Sequence, residues 1–533
     1  MYGVPTGTCN DAFMTAYMLS EEASAATAPL RRSDQAAWPD PLYQIERGRT
    51  MDAKLAEKQH KKGKLYVEER LQLLFDEQQY TELTTPDDRD GVYVCEGKVM
   101  GKRVIVAAQD FTYKGGTLGL KHGKNIAMAL DRAMRKKCPF IALNDSGGAR
   151  IQEGIDALAG YGDIFFRNVK ASGRIPQISM ILGPCAGGAV YSPGITDFIF
   201  MTEKISQMFI TGPKVIHAVT GESITGEALG GTVMHGANSG VAHVCTDTEL
   251  ECFMEVRRLI GMIPSNCRDR RLHCYVDANA PIFNFQMPED SHRGYDISDI
   301  IANIFDSRSF MELQPDFARS IVIGLAKLGG ETVGVIANQP RYMAGVLDCN
   351  SSDKAARFVR FCDAFRIPII TFTDVPGYLP GIAQEQAGII RHGAKLLYAF
   401  SEATVPKINV ILHKAYGGAY IAMNSIHIGA DCVFSWPGAE VAVMGEQGAV
   451  EILYAREIRN MDSQQARAFL NEKAEEYRRD VMNTRLGLSR GYITAEIRPE
   501  ETRDKLIEQL NRLGAKAVIR RIIARRRHGN IPL

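Results

Sequence analysis

At residues 140–150 the chain reads FIALNDSGGAR, four apolar residues followed at once by a polar, glycine-rich turn. A short apolar run that ends in a turn is typical of a strand buried on both faces. Residues 368–377 read PIITFTDVPG, and they repeat this order of an apolar strand, an aspartate and a glycine turn. Since a doubled unit constrains a fold strongly, the segments that flank the two stretches are the next evidence.

The flanking segments repeat in the same order and at nearly the same spacing. Asp145 and Pro176 are 31 positions apart, and Asp374 and Pro406 are 32 positions apart. Each proline opens a second apolar strand, which reaches a Gly-Gly-Ala sequence 11 positions after the proline in both copies. Agreement of residue type, order and spacing over this length predicts that the chain contains one structural unit twice.

Helical patterns separate the two strands of each copy. Residues 152–169 and residues 384–400 are the predicted helices. Strands of four to eight residues that alternate with helices indicate α/β layering with mostly buried strands. The sequence therefore predicts an α/β fold.

The length of 533 residues exceeds what one hydrophobic core usually holds, so two domains are expected. Residues 266–299 are rich in Pro, Asp, Asn and Arg and are the predicted linker. We predict an N-terminal extension at residues 1–45, a first domain at residues 46–285 and a second domain at residues 290–533.

Composition excludes several classes of protein. The formal net charge of +1 provides no field that would attract nucleic acid, so no nucleic-acid partner is expected. The 11 cysteines include no C-x-x-C pair, which argues against a zinc site or a disulfide framework and favours a reducing compartment. No apolar run approaches the roughly 20 residues that cross a bilayer. We expect a cytoplasmic or mitochondrial matrix location.

The two Gly-Gly-Ala sequences, at residues 187–189 and 417–419, are the first candidates for chemistry. Each stands between an apolar strand and a helix-like pattern, where backbone N–H groups lack partners within the helix. Two such N–H groups aimed at one point form an oxyanion hole. Glycines that only allow close packing are the alternative, but two pairs at matched positions favour two holes and two carbonyl-bearing reactants.

The sequence shows few side chains that could act as a nucleophile, an acid, a base or a metal ligand. No Ser-His-Asp arrangement or metal triad is evident, and we expect no metal. Cys185 is predicted to be a buried packing residue rather than a nucleophile. Asp145 and Asp374 are predicted to cap the segments that follow them rather than to act as acids. Four histidines without metal-ligand spacing are predicted to make structural hydrogen bonds: His60, His217, His392 and His413.

Several long motifs resemble one family, the carboxyltransferase (beta) subunits of propionyl-CoA carboxylase and related biotin-dependent acyl-CoA carboxylases. The resemblance extends from about residue 57 to residue 533. The motifs that carry it are QDFT at residues 109–112, LNDSGGARIQEG at 143–154, GPCAGGAVYSP at 183–193, RFCDAF at 360–365, IIRHGAK at 389–395, KAYGGAY at 414–420 and HGNIPL at 528–533.

This resemblance implies two tandem crotonase-like (ClpP/crotonase) domains of the ββα superhelical type, the first binding acyl-CoA and the second binding biotin. It also implies a homo-oligomer, most often a hexamer, in which each active site lies between the first domain of one subunit and the second domain of its neighbour. The chain contains no Met-Lys-Met segment and no glycine-rich ATP loop. Biotin would therefore be carried by a separate subunit or domain, and the implied partners are a biotin carboxylase and a biotin carboxyl carrier.

Site residues follow from the same motifs. Gly187 and Gly188 would hold the acyl thioester oxygen as the enolate forms, and Gly418 and Ala419 would hold the ureido oxygen of biotin. The biotin nitrogen would take the α-proton and the enolate would attack CO2. Further acyl-CoA contacts implied by the resemblance are Gly147, Gly148, Ala149, Ala186 and Ile421. Further biotin contacts are Tyr416, Gly417 and Gly377.

Three positions depart from the usual pattern of the family. Residues 386–388 read QAG where an aromatic residue and two glycines are usual, and Ile382 replaces a threonine. Ile421 stands where propionyl-specific members tend to have aspartate, so acetyl-CoA and butyryl-CoA remain candidate substrates. The catalytic subunit of a methylmalonyl-CoA decarboxylase or of a transcarboxylase is the alternative within the family. A crotonase-type hydratase or isomerase and a non-catalytic scaffold are the alternatives outside it.

Overall fold

The computed structural model of the chain describes residues 52–269, 280–288, 290, 293–524 and 528–532. The predicted extension at residues 1–45 and part of the predicted linker lie outside the described residues. The segment Ala53–Leu533 forms one compact unit. The described residues between Met262 and Ile297 belong to no helix or strand, and the division into two domains stays a prediction.

Eight strands of the described residues form the first sheet: β1 (Tyr80–Glu82), β2 (Val92–Val99), β3 (Lys102–Gln109), β4 (Phe140–Ser146), β5 (Gln177–Ala186), β6 (Phe198–Thr202), β7 (Gln207–Phe209) and β8 (Val244–Thr246). Their order is β1-β2-β3-β4-β5-β6-β8, and β7 also pairs with β5. The β1–β2 and β2–β3 pairs are antiparallel, and the other pairs are parallel.

A second sheet repeats this topology: β9 (Met311–Leu313), β10 (Ile321–Leu328), β11 (Glu331–Asn338), β12 (Ile369–Val375), β13 (Lys407–Tyr416), β14 (Cys432–Ser435), β15 (Glu440–Ala442) and β16 (Ala495–Glu496). Its order is β9-β10-β11-β12-β13-β14-β16, with β15 beside β13. Again the first two pairs are antiparallel and the others parallel. The predicted duplication is therefore confirmed strand by strand.

Helices connect the strands in both copies. The α-helices of the described residues are α1 (Ala53–His60), α2 (Val67–Leu74), α3 (Leu120–Lys136), α4 (Ile155–Ala171), α5 (Tyr191–Ile195), α6 (Pro213–Thr220), α7 (Gly226–Gly230), α8 (Glu249–Met262), α9 (Ile297–Ile304), α10 (Cys349–Ala364), α11 (Ile382–Ala387), α12 (Ile389–Glu402), α13 (Gly417–Ala422), α14 (Glu446–Leu453), α15 (Ser463–Asp480), α16 (Arg485–Ser489) and α17 (Thr502–Ala524). The predicted α/β fold is confirmed.

Burial explains why these segments fold as they do. All seven residues of β4 and all seven of β12 are buried, including three polar residues in each, as expected of parallel strands that are covered on both faces. In α3 the residues Ile126, Ala129, Leu130 and Ala133 recur at helical spacing and pack into the core against the first sheet. Packing of an apolar helix stripe onto a buried sheet therefore forms the core of the first half.

The predicted helix at residues 384–400 is in fact two helices. The chain breaks between α11 and α12 at Gly388, which has a left-handed φ of +90°. A residue without a Cβ adopts this conformation at little cost, so the helix can end and restart there. The matching helix of the first half, α4, begins at Ile155 after a single 3₁₀ turn at Ile151–Glu153.

The C-terminal residues cross from the second half of the unit to the first. The side-chain amide of Asn530 donates to Asp197 Oδ1 at 3.1 Å, and its backbone N–H donates to Ser172 Oγ at 2.9 Å. Asp197 Oδ2 also accepts the backbone N–H of Gln177 at 2.8 Å. Asp197 is buried, and this burial raises its pKa to about 6 despite those bonds.

A raised pKa at Asp197 predicts that stability falls as the pH rises. The folded state binds the carboxyl proton more tightly than the unfolded chain does. The stability that this proton binding contributes is therefore fully present below about pH 4 and is lost as the pH rises through about 6. The loss between these limits is about 3 kcal/mol. Urea unfolding of the wild type and of Asp197→Asn between pH 4 and pH 7 measures it. The stability of the wild type should fall relative to the variant across this range, and a constant difference would contradict the assignment.

Candidate active site

The first glycine pair stands at the carboxyl end of β5. The strand ends at Ala186, a 3₁₀ helix follows at Gly187–Val190, and α5 begins at Tyr191. Gly187 has a left-handed φ of +62°, which glycine adopts without strain. No side chain of the described residues caps this helical start. The turn therefore presents backbone N–H groups that have no side-chain acceptor.

The second glycine pair repeats this geometry at the end of β13. The strand ends at Tyr416, and α13 begins directly with Gly417, whose φ is +58°. No side chain among the residues that the structure describes caps α13 either. The position that matches Gly187 and Gly188 is Gly417 and Gly418, whereas the resemblance assigns the second hole to Gly418 and Ala419, one residue later.

A carbonyl oxygen lies over each turn. A Cβ built on Gly187 would stand 3.8 Å from the carbonyl oxygen of Ile210, and a Cβ on Gly417 would stand 3.0 Å from that of Val443. The residue Ile210 follows β7, and Val443 follows β15. β7 pairs with β5, and β15 pairs with β13, both in parallel. The residues that follow β7 and β15 therefore flank the two turns in equivalent positions.

A second glycine-bearing segment lies next to each turn. Gly148 follows β4 with a φ of +99°, and a Cβ built on it would stand 2.9 Å from the carbonyl oxygen of Ala186. Ala149, in turn, bridges to Leu118. The structure therefore brings together the two segments that the resemblance assigns to acyl-CoA. In the second half, Gly377 follows β12 with a φ of +152°, and an added Cβ would meet no atom within 4 Å.

Tyr416 connects the second turn to a charged cluster. Its hydroxyl donates to Glu440, and Arg478 lies 3.5 Å from the other carboxylate oxygen of Glu440. Burial, reinforced by the Glu440 charge, raises the pKa of Tyr416. Ile421, four residues past the start of α13, is 38% exposed.

The prediction that Asp145 caps the following segment is wrong. Its carboxylate accepts from Lys64 Nζ at 2.7 Å and from Arg70 Nη1 at 2.9 Å, and Asp145 is 1% exposed. Arg70 also donates to Glu249 at 2.7 Å and to the carbonyl oxygen of Leu182 at 2.7 Å. Asp145 therefore belongs to a buried ion network beside Gly183 of β5, the strand that leads to the turn at Gly187.

The same prediction is wrong for Asp374. Its carboxylate accepts the hydroxyl of Tyr295 at 2.9 Å and the backbone N–H of Lys414 at 3.0 Å, so it joins β12 to β13 instead of capping a helix. The imidazole of His413 lies 3.8 Å away. Burial raises the pKa of Asp374 and lowers that of His413, although each group favours the charged form of the other.

The predictions for Cys185 and for two of the histidines are confirmed. Cys185 is fully buried, and this burial raises the pKa of its thiol to about 12, so a nucleophilic thiolate is disfavoured. His392 Nδ1 lies 2.7 Å from Asp353, and His60 Nε2 lies 2.9 Å from Glu69. Within the described ranges no group of three or more His, Cys, Asp or Glu side chains could hold a metal ion.

Sequence reasoning missed the tyrosine ring that packs beside each glycine pair. Tyr161 comes from α4 and contacts the first turn, and Tyr378 comes from the segment after β12 and approaches the second. The two tyrosines occupy different positions in the duplicated unit, so the repeat gave no signal for them.

Comparisons with known proteins show the family of the chain. Residues 58–531 match the family model of the carboxyl transferase domain. The propionyl-CoA carboxylase carboxyltransferase subunit of Haloferax mediterranei is 48% identical over 493 residues, which cover 89% of this chain and 95% of that protein. The methylmalonyl-CoA decarboxylase subunit alpha of Propionigenium modestum is 47% identical over 498 residues, with 90% and 95% covered.

A solved structure shares the fold. The crystal structure of transcarboxylase 12S, described as a hexamer with methylmalonyl-coenzyme A and methylmalonic acid bound, superposes with a TM-score of 0.82 at 42% identity. The match covers 90% of this chain and 94% of that one. This likeness supports the predicted crotonase-like architecture. Among the described helices, none is both long and apolar enough to span a bilayer.

Proposed function

The chain belongs to the carboxyl transferase family, and from that premise we propose that it is the carboxyltransferase subunit of a biotin-dependent short-chain acyl-CoA carboxylase. It would transfer a carboxyl group to the α-carbon of an acyl-CoA such as propionyl-CoA. The observation that supports this most strongly is the matched pair of glycine turns at the ends of β5 and β13. Two reactants that each develop negative charge on a carbonyl oxygen need two such turns.

In this proposal the first turn holds the acyl-CoA. The N–H groups of Gly187 and Gly188 would donate to the thioester oxygen as it becomes an enolate oxygen. Preorganised donors of this kind are worth most where charge develops in the transition state. The neighbouring segment around Gly148 would then line the path of the thioester, since it lies against Ala186.

The second turn would hold biotin. A ureido group has a carbonyl oxygen that suits backbone donors, and the turn leaves room for it, because a Cβ on Gly418 would still stand 3.9 Å from the nearest ring atom. Gly418 and Ala419 would donate to that oxygen, with Tyr416, Gly417 and Gly377 around it. Bound biotin would supply the transferable carboxyl group and the base for the α-proton. The chain itself would orient the two reactants and stabilise both oxyanions.

A biotin carboxylase and a biotin carboxyl carrier are the proposed partners. Residues 46–285 would form the acyl-CoA domain and residues 290–533 the biotin domain. Nine cysteines in the described segments are free thiols, which supports a reducing compartment such as the cytoplasm or the mitochondrial matrix.

We also propose a homo-oligomer, and a hexamer by analogy with transcarboxylase 12S. Exposed apolar side chains on equivalent helices support it: Ile155, Leu158, Phe166 and Val169 on α4, and Ile390 and Tyr398 on α12. Apolar patches of this kind commonly mark subunit interfaces. Each active site would then lie between the first domain of one subunit and the second domain of its neighbour.

A decarboxylase or transcarboxylase is the second candidate, because a methylmalonyl-CoA decarboxylase subunit is 47% identical to this chain. The same two turns would serve the reverse transfer. The acyl chain is the other open choice. Ile421 offers an apolar and partly exposed wall, which supports acceptance of acetyl-CoA and butyryl-CoA beside propionyl-CoA.

Decarboxylation of methylmalonyl-CoA by the purified chain, with and without free biotin, tests the proposal. We expect CO2 release that depends on biotin, and malonyl-CoA and ethylmalonyl-CoA would rank the acyl chains. Adding a biotin carboxylase, a biotinylated carrier, ATP and bicarbonate distinguishes a carboxylase from a decarboxylase by net formation of methylmalonyl-CoA. CO2 release that is absent, or equal without biotin, would contradict carboxyl transfer.

A further inference from the structure

Tyr161 fills the space that Gly188 leaves empty. A Cβ built on Gly188 would stand 3.1, 3.2 and 3.3 Å from the Cδ2, Cε2 and Cγ atoms of the Tyr161 ring. An added Cβ would be crowded at these distances, so the Tyr161 ring lies directly over the backbone of Gly188. Tyr161 is 5% exposed and comes from α4, so a different element supports the turn that follows β5.

The ring is itself held in place by a row of aromatic side chains. Tyr161 stacks on Phe165 with ring centroids 5.8 Å apart, and Phe165 meets the ring of Tyr191 edge-on at 6.0 Å. The backbone N–H of Tyr191 donates to the carbonyl oxygen of Gly188. The aromatic row therefore starts against Gly188 and ends on the residue that closes the same turn.

The hydroxyl of Tyr161 contributes little to this arrangement. Its oxygen is buried and has no hydrogen-bond partner within the described part of the chain. Burial also raises its pKa, so the hydroxyl stays protonated at neutral pH. The nearby Ser146 side chain offsets part of that rise, but it donates its own proton to the carbonyl oxygen of Gly116 and lies outside hydrogen-bonding geometry from the Tyr161 oxygen. The ring, and not the hydroxyl, is the part of Tyr161 that the turn uses.

We propose that Tyr161 is a positioning residue for carboxyl transfer, whose ring fixes the direction of the Gly187 and Gly188 N–H groups. The proposal rests on the proposed function of this turn. A donor that moves by about 1 Å can lower a rate by about 100-fold, because the oxyanion is then no longer met along the hydrogen-bond direction. A ring packed on the turn prevents that movement.

Tyr161→Leu and Tyr161→Phe separate the ring from the hydroxyl. In biotin-dependent decarboxylation of methylmalonyl-CoA we expect Tyr161→Leu to lower kcat by about 10- to 100-fold, with little change in KM. Tyr161→Phe keeps the ring and removes an unpaired buried hydroxyl, so its kcat and thermal midpoint should equal or exceed those of the wild type. Tyr80→Leu is the matched control, because Tyr80 also stacks on a phenylalanine, Phe75, with ring centroids 5.1 Å apart, but lies on β1 at the edge of the first sheet.

Amide hydrogen exchange of the segment 183–193 gives a readout that needs no activity. Exchange there should become faster in Tyr161→Leu and stay unchanged in Tyr161→Phe. If Tyr161→Leu fails to fold, Phe165→Leu replaces it, since the Phe165 ring stacks on the Tyr161 ring.

A folded Tyr161→Leu or Phe165→Leu protein with wild-type kcat and wild-type exchange would overturn the proposal. Equal losses of kcat in the Leu and Phe variants would overturn it as well, since the hydroxyl would then be the active part. A wild type without biotin-dependent CO2 release would instead refute the proposed function, and exchange would still decide whether the ring fixes the turn.

Discussion

Gly187→Val is expected to lower kcat for biotin-dependent decarboxylation on the order of 100- to 1,000-fold, the usual effect of losing one oxyanion-hole donor. Gly187 has a φ of +62°, where a β-branched residue is a strong outlier. The nearest atom to an added Cβ is 3.8 Å away, so the cause is backbone strain and not a collision. To relieve the strain the turn must change its dihedral angles, which turns the N–H groups away from the oxyanion.

Gly101→Val is the matched control for this variant. Gly101 has a φ of +73° in the turn between β2 and β3, and an added Cβ would meet no atom within 4 Å. Both variants carry the same backbone strain and should lose similar thermal stability. Only Gly187→Val should lose kcat, measured as CO2 release from methylmalonyl-CoA. A comparable fall of kcat in both proteins, or in neither, would refute the first oxyanion hole.

Arg70→Met is expected to destabilise the protein by about 3–5 kcal/mol, the usual cost of breaking a buried ion pair. Arg70 is 2% exposed and holds two buried carboxylates, those of Asp145 and Glu249. Burial lowers the pKa of Lys64, the remaining cation, although Asp145 favours its charged form. Without Arg70, two carboxylates would share one weakened cation in a region that excludes water.

Urea unfolding compares this variant with Arg498→Met, which removes an arginine paired with Glu501 at the surface and should leave the midpoint nearly unchanged. The double variant with Glu249→Gln should recover part of the loss, because it removes one unpaired charge. If Arg70→Met were as stable as Arg498→Met, the network would not contribute to stability. Because Asp145 lies two residues before Gly147, on the strand that leads to the turn at Gly147 and Gly148, activity should fall together with stability.

The architecture could be predicted because it depends on short-range pattern. Buried strands read as continuous apolar runs, and a duplication places the same runs at the same spacing, so β4, β5, β12 and β13 were all recognised. The helix boundary at Gly388 was missed, since helical periodicity continues through a break that only the backbone conformation shows. The two glycine turns were found because they end recognised strands.

The predicted caps failed for a related reason. Asp145 and Asp374 occupy turn positions where local hydrogen bonds are usual, so a local role was the natural interpretation. Their partners are distant in sequence, since Arg70 and Lys64 lie 75 and 81 positions from Asp145, and Tyr295 lies 79 positions from Asp374. Burial removes water as a competing partner, and an aspartate then accepts from whichever buried donors the fold brings to it: two cations for Asp145, and a hydroxyl and a backbone N–H for Asp374.

The sequence by itself determined the doubled α/β unit and the glycine pairs at its strand ends. These features follow from the order of residues along the chain, because strand burial and turn conformation are local preferences. Only the tertiary structure decided which side chains support the turns: the ring of Tyr161 on Gly188 and the pairing of Arg70 with Asp145. Such contacts depend on how separate elements pack in space, and neither periodicity nor spacing along the chain encodes that packing.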